Sequence, residues 1–283
     1  MDSRIVVVTG ANSGIGFETA RGLAKLGAEV VLVCRDTARG GAAQKELAKV
    51  SAGPAPTLLL ADLSSQSAIR AVSAEIRARF SRVDVLINNA GAAFPKRGLT
   101  VDGIEKTFAV NHLAPFLLTH LLLDLLRAAP AARIIGVTSD LHSGTIDFDD
   151  LQSERRYSWL RAYALSKLGN ILFTKELARR VAGTALTANC LEPGPAVTRF
   201  GRGAGGTLGI VARMMQLAAF LRIAASTEEG ARTPVYLASS PEAARVSGRY
   251  FRKCREVAPK PIADDVAVAA RLWEISERMC GVA

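Results

Sequence analysis

The sequence predicts an α/β protein: one domain built on a doubly wound, mostly seven-stranded parallel sheet with helices on both faces. Three observations predict this. Short β-branched runs alternate with longer amphipathic runs through most of the 283 residues, and that alternation is what βαβ units produce. The strand-like runs are continuously apolar, as strands covered on both faces are. A glycine-rich turn joins the first such run to the first amphipathic stretch, and doubly wound folds hold a phosphate group at such a turn.

Each element follows from its residues. Ile5–Thr9 is the first strand, and a helix runs from about Ile15 to Leu26. Glu29–Cys34 is the second strand and Thr37–Val50 the next helix. Gly53, Pro54 and Pro56 break the chain there. Thr57–Leu60, Val83–Asn88 and Arg133–Val137 are strands three to five, separated by the amphipathic stretch Ser65–Phe80 and a long helical region over Asp102–Ala129. A helix around Tyr163–Ala182 leads to strand six near Thr187–Cys190, and Arg249–Phe251 is a short strand in a mostly helical last third. No composition shift marks a second domain.

Composition narrows the function. Hydrophobic residues make 49% and charged residues 22%, which excludes disorder, collagen and coiled coil. A formal net charge of +10, with 27 Arg against 9 Lys, admits nucleic acid, an anionic membrane surface or a phosphorylated small molecule as partner. Aromatics are only 6%, so base stacking has little to work with and no nucleic-acid partner is expected. Cys34, Cys190, Cys254 and Cys280 form no CxxC pair, and His112, His120 and His142 no HExxH spacing. No metal site is expected, and the cysteines read as small core residues in a reducing compartment. The chain opens on a strand without a cationic leader or a long apolar run, so a cytoplasmic protein with no stable membrane anchor is expected. The high Ala and Arg usage suits a GC-rich bacterial genome.

The turn reads Thr9-Gly10-Ala11-Asn12-Ser13-Gly14-Ile15-Gly16. Gly10 and Gly14 permit tight turning and Gly16 close packing, so the helix N-terminus can face a pyrophosphate. The alternative is a plain turn rich in glycine, but strand–turn–helix is the context that the motif requires. Strand two ends Cys34-Arg35-Asp36. Arg35 stands where a guanidinium can grip a 2′-phosphate bidentately, with Arg39 close behind. NADP(H) is therefore the preferred coenzyme. Asp36 keeps NAD(H) open, because a carboxylate there can hold a ribose hydroxyl.

This turn, with Asp62-Leu63, Asn88-Asn89-Ala90-Gly91, Asn111, Ser139, Tyr163-Ala164-Leu165-Ser166-Lys167 and Pro193-Gly194, resembles the short-chain dehydrogenase/reductase family almost end to end. Within it, CRDTARG, LTVDGIEKTFAVNHLAPFLLT, IDFDDL and YALSKLGNILFTKELARR resemble the retinol-dehydrogenase-like branch. The resemblance implies a Rossmann-type fold with a coenzyme part over about 1–135 and a catalytic and substrate part over about 136–283. It implies that Asp62 and Leu63 frame the adenine, and that Asn89, Ala90 and Gly91 line the coenzyme while Asn88 braces the sheet. Pro193, Gly194 and Thr198 would hold the nicotinamide end. A homodimer or homotetramer is also implied.

Tyr163 and Lys167 are i and i+4, on one helical face, and Asn170 and Thr174 continue the stripe. Carbonyl reduction needs a proton donor, and a phenol starts with a pKa near about 10. A neighbouring lysine cation, together with the charge of the oxidised nicotinamide, is expected to lower it. Ser139 would orient the substrate oxygen. Pro115, four residues after Asn111, has no N–H, so the Asn111 carbonyl loses its helical donor and can hold a water; alternatively Pro115 begins a new helix. By resemblance Asn111 serves a proton relay, and Lys167 contacts the nicotinamide ribose.

Arg155, Arg156, Tyr157 and Trp159 lie in the stretch between Ser139 and Tyr163, read mainly as a surface loop. A segment over about 199–224 reads first as a lid over an apolar substrate, then as core, then as membrane contact. Glu192, before Pro193-Gly194, has no explanation at this level. The expected activity is NADP(H)-dependent interconversion of a lipophilic aldehyde or ketone and its alcohol. The competing reading is a dinucleotide-sensing regulator without chemistry, against which the presence of Asn111, Ser139, Tyr163 and Lys167 argues.

Overall fold

The β-branched runs become strands β1 (Ile5–Thr9), β2 (Glu29–Cys34), β3 (Thr57–Leu60), β4 (Val85–Asn88), β5 (Arg133–Val137), β6 (Thr187–Glu192) and β7 (Tyr250–Arg252). The computed structural model describes residues 1–194 and 226–282. Adjacent strands from β3 through β7 pair in parallel, in the order β3-β2-β1-β4-β5-β6-β7. From β1 the chain winds outward to β3, then crosses back to β4 on the other side of β1. That reversal leaves a crevice beyond the C-terminal ends of β1 and β4, where open α/β sheets bind ligands.

The sheet has eight strands rather than the seven expected. Arg255–Glu256 (β8) pairs antiparallel with β7. Lys253 and Cys254, at φ 48° and 60°, close the two-residue hairpin; positive φ at both central positions is what a type I′ turn requires. A two-residue strand is too short to leave a period in the sequence.

Alternate strand residues feed the two faces. Val7, Val31, Val33, Leu86 and Ile134 pack on one side with α3 (Gln66–Arg79), α5 (Ala114–Leu121), α7 (Trp159–Arg180) and α9 (Val266–Cys280). Val6, Val8, Val30, Leu32, Val85 and Ile87 pack on the other with α1 (Gly14–Lys25), α2 (Thr37–Ala48) and α8 (Thr227–Ser239). Both faces are buried, which is why the strands read as unbroken apolar runs.

The long helical region begins later than expected and is broken. It comprises α4 (Lys106–Phe108), a π-helical turn (Ala109–Leu113), α5 and α6 (Leu123–Arg127). Glu105 caps its start, accepting from the Thr107 and Phe108 N–H groups at 2.9 and 2.8 Å. Pro115 sits in the first turn of α5, and the Ala114 N–H donates to the Ala109 carbonyl, five residues back. A proline cannot supply an amide to residue 111, so the hydrogen-bond register widens just ahead of it. That π turn carries Asn111.

Candidate active site

At the end of β1, Gly10 and Gly14 adopt φ 65° and 59°, a region open to glycine at little cost. The Thr9 hydroxyl accepts from the Asn89 and Ala90 N–H groups, both at 3.0 Å. Asn89 Nδ2 in turn donates to the Thr9 carbonyl at 2.8 Å. The glycine turn is thus stapled to the end of β4. Thr9 was not singled out by the sequence reading; the available signal was one hydroxyl closing an otherwise aliphatic strand. The turn leads into α1, whose N-cap Ser13 makes no side-chain cap and whose first turn carries no acid. By contrast, α2, α3, α8 and α9 each have a side-chain cap. The first amide groups of α1, around Gly14, Ile15 and Gly16, therefore suit an anion. Asn12 is half-buried within the same turn.

Arg35 is exposed just past β2, and no ion pair reaches it among the described residues. Asp36 is committed elsewhere. It accepts the Arg39 N–H at 2.8 Å as the N-cap of α2, and pairs with the Arg39 guanidinium at 3.3 Å. Asp62 follows β3, exposed beside the half-buried Leu63, and accepts the Ser64 N–H at 2.9 Å. Asn88 ties β4 to α5 through Thr119 Oγ1 at 3.0 Å. These groups line one rim of the crevice, at the C-terminal ends of their strands.

The four residues expected to do chemistry gather on the other rim. Asn111 is fully buried and its side chain is fully used. Its Oδ1 accepts the Ala92 N–H at 2.8 Å, and its Nδ2 donates to the Ala92 carbonyl and to Ser166 Oγ, both at 2.9 Å. Ser166 Oγ donates to the Tyr163 carbonyl at 2.7 Å, which links the π turn to α7. Lys167, also buried, donates to the Val137 carbonyl at 3.0 Å. Its Nζ lies 5.6 Å from the Tyr163 ring centroid. A Cβ on Gly91 would stand only 3.3 Å from Lys167 Nζ and 3.5 Å from Asn111 Oδ1, so glycine is what fits between them.

Ser139, just past β5, stands near the half-buried Tyr163. Its Oγ accepts the Leu141 N–H at 3.1 Å and donates to Asp140 Oδ1 at 3.3 Å. Burial pushes the Tyr163 phenol up to about 12; the Ser139 side chain acts against this and the Asp140 charge adds to it. The Lys167 ammonium is engaged with Val137 O, and burial pushes it down to about 8.

β6 ends at Glu192, followed by Pro193 and by Gly194 at φ 77°. Glu192, unexplained by the sequence alone, is a buried carboxylate in an ion pair with Arg252, its register partner on β7. Thr198 and the 199–224 segment lie outside the described residues. Tyr157 anchors the stretch before α7, donating to the Phe94 carbonyl at 2.6 Å. A cleft of about 890 Å³ lined by Pro130, Lys175, Thr184 and Arg245 sits at the opposite, N-terminal ends of the strands and contains none of these groups. Among the described residues, no His, Cys, Asp and Glu cluster suits a metal ion, and no helix is long and apolar enough to cross a membrane.

Comparison with known proteins agrees with this geometry. The family model described as short chain dehydrogenase matches residues 4–206. The chain is 45% identical to human retinol dehydrogenase 14 over 298 residues, covering all of this chain and 88% of that one. It is 43% identical to human retinol dehydrogenase 13, covering 99% and 85%. A solved structure of an uncharacterized protein from Mycobacterium paratuberculosis superposes with a TM-score of 0.78 at 34% identity, covering 99% of this chain and 94% of that one.

Proposed function

The chain belongs to the short-chain dehydrogenase family, in its retinol-dehydrogenase-like branch, and on that footing we propose that it interconverts a lipophilic aldehyde or ketone and its alcohol with NADP(H). The observation that carries the reading is Tyr163 on the same α7 face as the buried Lys167, whose Nζ lies 5.6 Å from its ring centroid, with the Ser139 side chain acting on the phenol. When bound, the reduced nicotinamide supplies hydride. Tyr163 then donates its phenolic proton to the carbonyl oxygen, and Ser139 holds that oxygen in line. Lys167 offers a cation next to the phenol, so the phenolate left after proton transfer is stabilised. With the side chain of Asn111 consumed by Ala92 and Ser166, only its main-chain carbonyl is left to hold a water toward Lys167.

Two further observations support the finer reading. Arg35 is exposed and unpaired among the described residues while Asp36 is spent on α2 and Arg39, which favours a 2′-phosphate over a bare ribose. Leu141 and Leu160 are exposed. Leu141 lies two residues past Ser139, and Leu160 is one helical turn before Tyr163, so an apolar rim borders the site. Retinol dehydrogenase 14 is named for a lipophilic alcohol, which accords with that rim. We also place the protein in the cytoplasm, where its four unpaired cysteines stay reduced.

The test is a panel of aliphatic, aromatic and polyene aldehydes and ketones with NADPH and NADH, followed at the nicotinamide absorbance. Turnover of the lipophilic members with NADPH is expected, abolished in Tyr163→Phe with coenzyme binding retained. Tight NADPH binding with no turnover anywhere would instead make the chain a dinucleotide sensor.

A further inference from the structure

The carbonyl oxygen of Ser139 accepts two hydrogen bonds, from His142 Nδ1 at 2.9 Å and from the Tyr250 hydroxyl at 3.3 Å. Both donors are buried, and their rings meet edge to face at 5.7 Å. The other ring nitrogen of His142, Nε2, accepts the Lys260 N–H at 3.0 Å. Lys260 stands between Pro259 and Pro261. Prolines lack an N–H and restrict φ, so this three-residue segment offers a single amide donor in a fixed direction. The Lys260 ammonium also donates to the His142 carbonyl. On the next residue, the Ser143 N–H donates to the Ala164 carbonyl at 2.9 Å, adjacent to Tyr163.

These contacts decide the protonation of His142. Nε2 faces an amide donor and must present a lone pair. Nδ1 faces a carbonyl and must carry the proton. The ring is thus a neutral Nδ1–H tautomer bridging the C-terminal segment to the main chain of Ser139. We propose that His142 is a positioning residue for the proposed carbonyl chemistry: it relays the placement of Lys260 and β7 to Ser139, so that the Ser139 hydroxyl stays aligned with Tyr163. The proposal rests on the oxidoreductase reading for its catalytic consequence, but not for the tautomer. Within the loop, Asp140 is the carboxylate that acts on His142. The C-terminal segment presents the Lys260 cation and β7 presents Tyr250. Burial is the main influence and holds the imidazole below its ordinary value, the same direction as the neutral ring that the two contacts require. Protonation would set Nε2–H against the Lys260 N–H and break the bridge.

The test separates the two ring nitrogens. Asn at 142 can place an amide N–H near the Nδ1 position, whereas Gln places its amide near Nε2. His142→Asn is expected to retain most of kcat, and His142→Gln and His142→Ala to lose about tenfold to a hundredfold, the cost of a small misalignment. The Kd for NADPH should be unchanged in all three. Equal losses in Asn and Gln that track the loss of Tm would make the role one of packing and overturn the proposal. Nitrogen-15 NMR of the wild-type imidazoles, with the His142 signal identified by its loss in His142→Asn, reads the tautomer directly. An Nδ1–H form is expected in the neutral ring; an Nε2–H form overturns the proposal whether or not the wild type turns over any carbonyl. Failure of the wild type on the whole substrate panel, by contrast, overturns the oxidoreductase reading and leaves the tautomer measurement to judge the bridge.

Discussion

Gly16→Ala probes the point where the glycine turn, α1 and the end of β4 converge. A Cβ on Gly16 would stand 2.3 Å from Asn89 Nδ2 and 2.5 Å from the Gly10 carbonyl oxygen. Gly10 cannot withdraw, being main chain held at φ 65°. Asn89 can rotate, but only by giving up its 2.8 Å bond to the Thr9 carbonyl. That bond contributes about 1 kcal/mol, and overpacking costs a further 1–3 kcal/mol, roughly. Alanine returns about 1 kcal/mol as the better helix former. The net loss is about 1–3 kcal/mol, which lowers Tm by several degrees in roughly this size class. NAD(P)H affinity should fall more steeply, by about tenfold or more, because the displaced groups shape the pyrophosphate turn itself. Thermal circular dichroism and a fluorescence titration with NADPH measure both. Gly41→Ala is the control: it lies in α2 with nothing among the described residues within 4 Å of its Cβ, so it keeps the helix gain and raises Tm slightly. Equal Tm shifts in the two variants, or wild-type coenzyme affinity in Gly16→Ala, would refute the reasoning.

Three other outcomes follow from the same contacts. Arg35→Ala should reduce the NADPH-over-NADH ratio of kcat/KM by about 10- to 100-fold, the worth of a charge-assisted phosphate contact; an unchanged ratio removes Arg35 from the coenzyme site. Lys167 is held down to about 8 in the fold, against 10.5 for the free group. Between those values the unfolded chain carries more protons, so stability rises with pH across that window. Lys167→Met is therefore expected to be more stable than wild type at pH 7, with the gap closing by about pH 10.5, as read from urea unfolding; a gap independent of pH contradicts the assignment. Arg252→Met strands the buried Glu192 carboxylate. Because Arg252 is half-exposed, the cost is about 1–3 kcal/mol rather than that of a fully buried pair, and adding Glu192→Gln should recover most of it.

What could be read from the chain before folding, and what could not, divides along physical lines. The parallel strands were legible because two covered faces demand unbroken apolar runs, and Tyr163 with Lys167 because helical spacing alone sets them on one face. The glycine turn was legible because positive φ leaves a residue signature at Gly10 and Gly14. Pro115 announced a break, but the widened register ahead of it depends on the backbone path that α5 takes over the sheet. Thr9 and Asn89 are 80 residues apart, and His142 and Lys260 are 118 apart. In each case one partner is main chain, and an amide or carbonyl has no letter in the sequence. Glu192 is the same problem in electrostatic form. A carboxylate ending a buried strand is costly unless a cation reaches it, so a partner was required. Its identity followed only from the register that sets Arg252 opposite it on β7. His142 likewise reads as one lone histidine until Tyr250 reaches from β7, one strand beyond β6, to the Ser139 carbonyl and the Lys260 N–H meets its ring. Positioning residues of this kind act through backbone groups, so they become visible only once the strand order and the crossing segments are known.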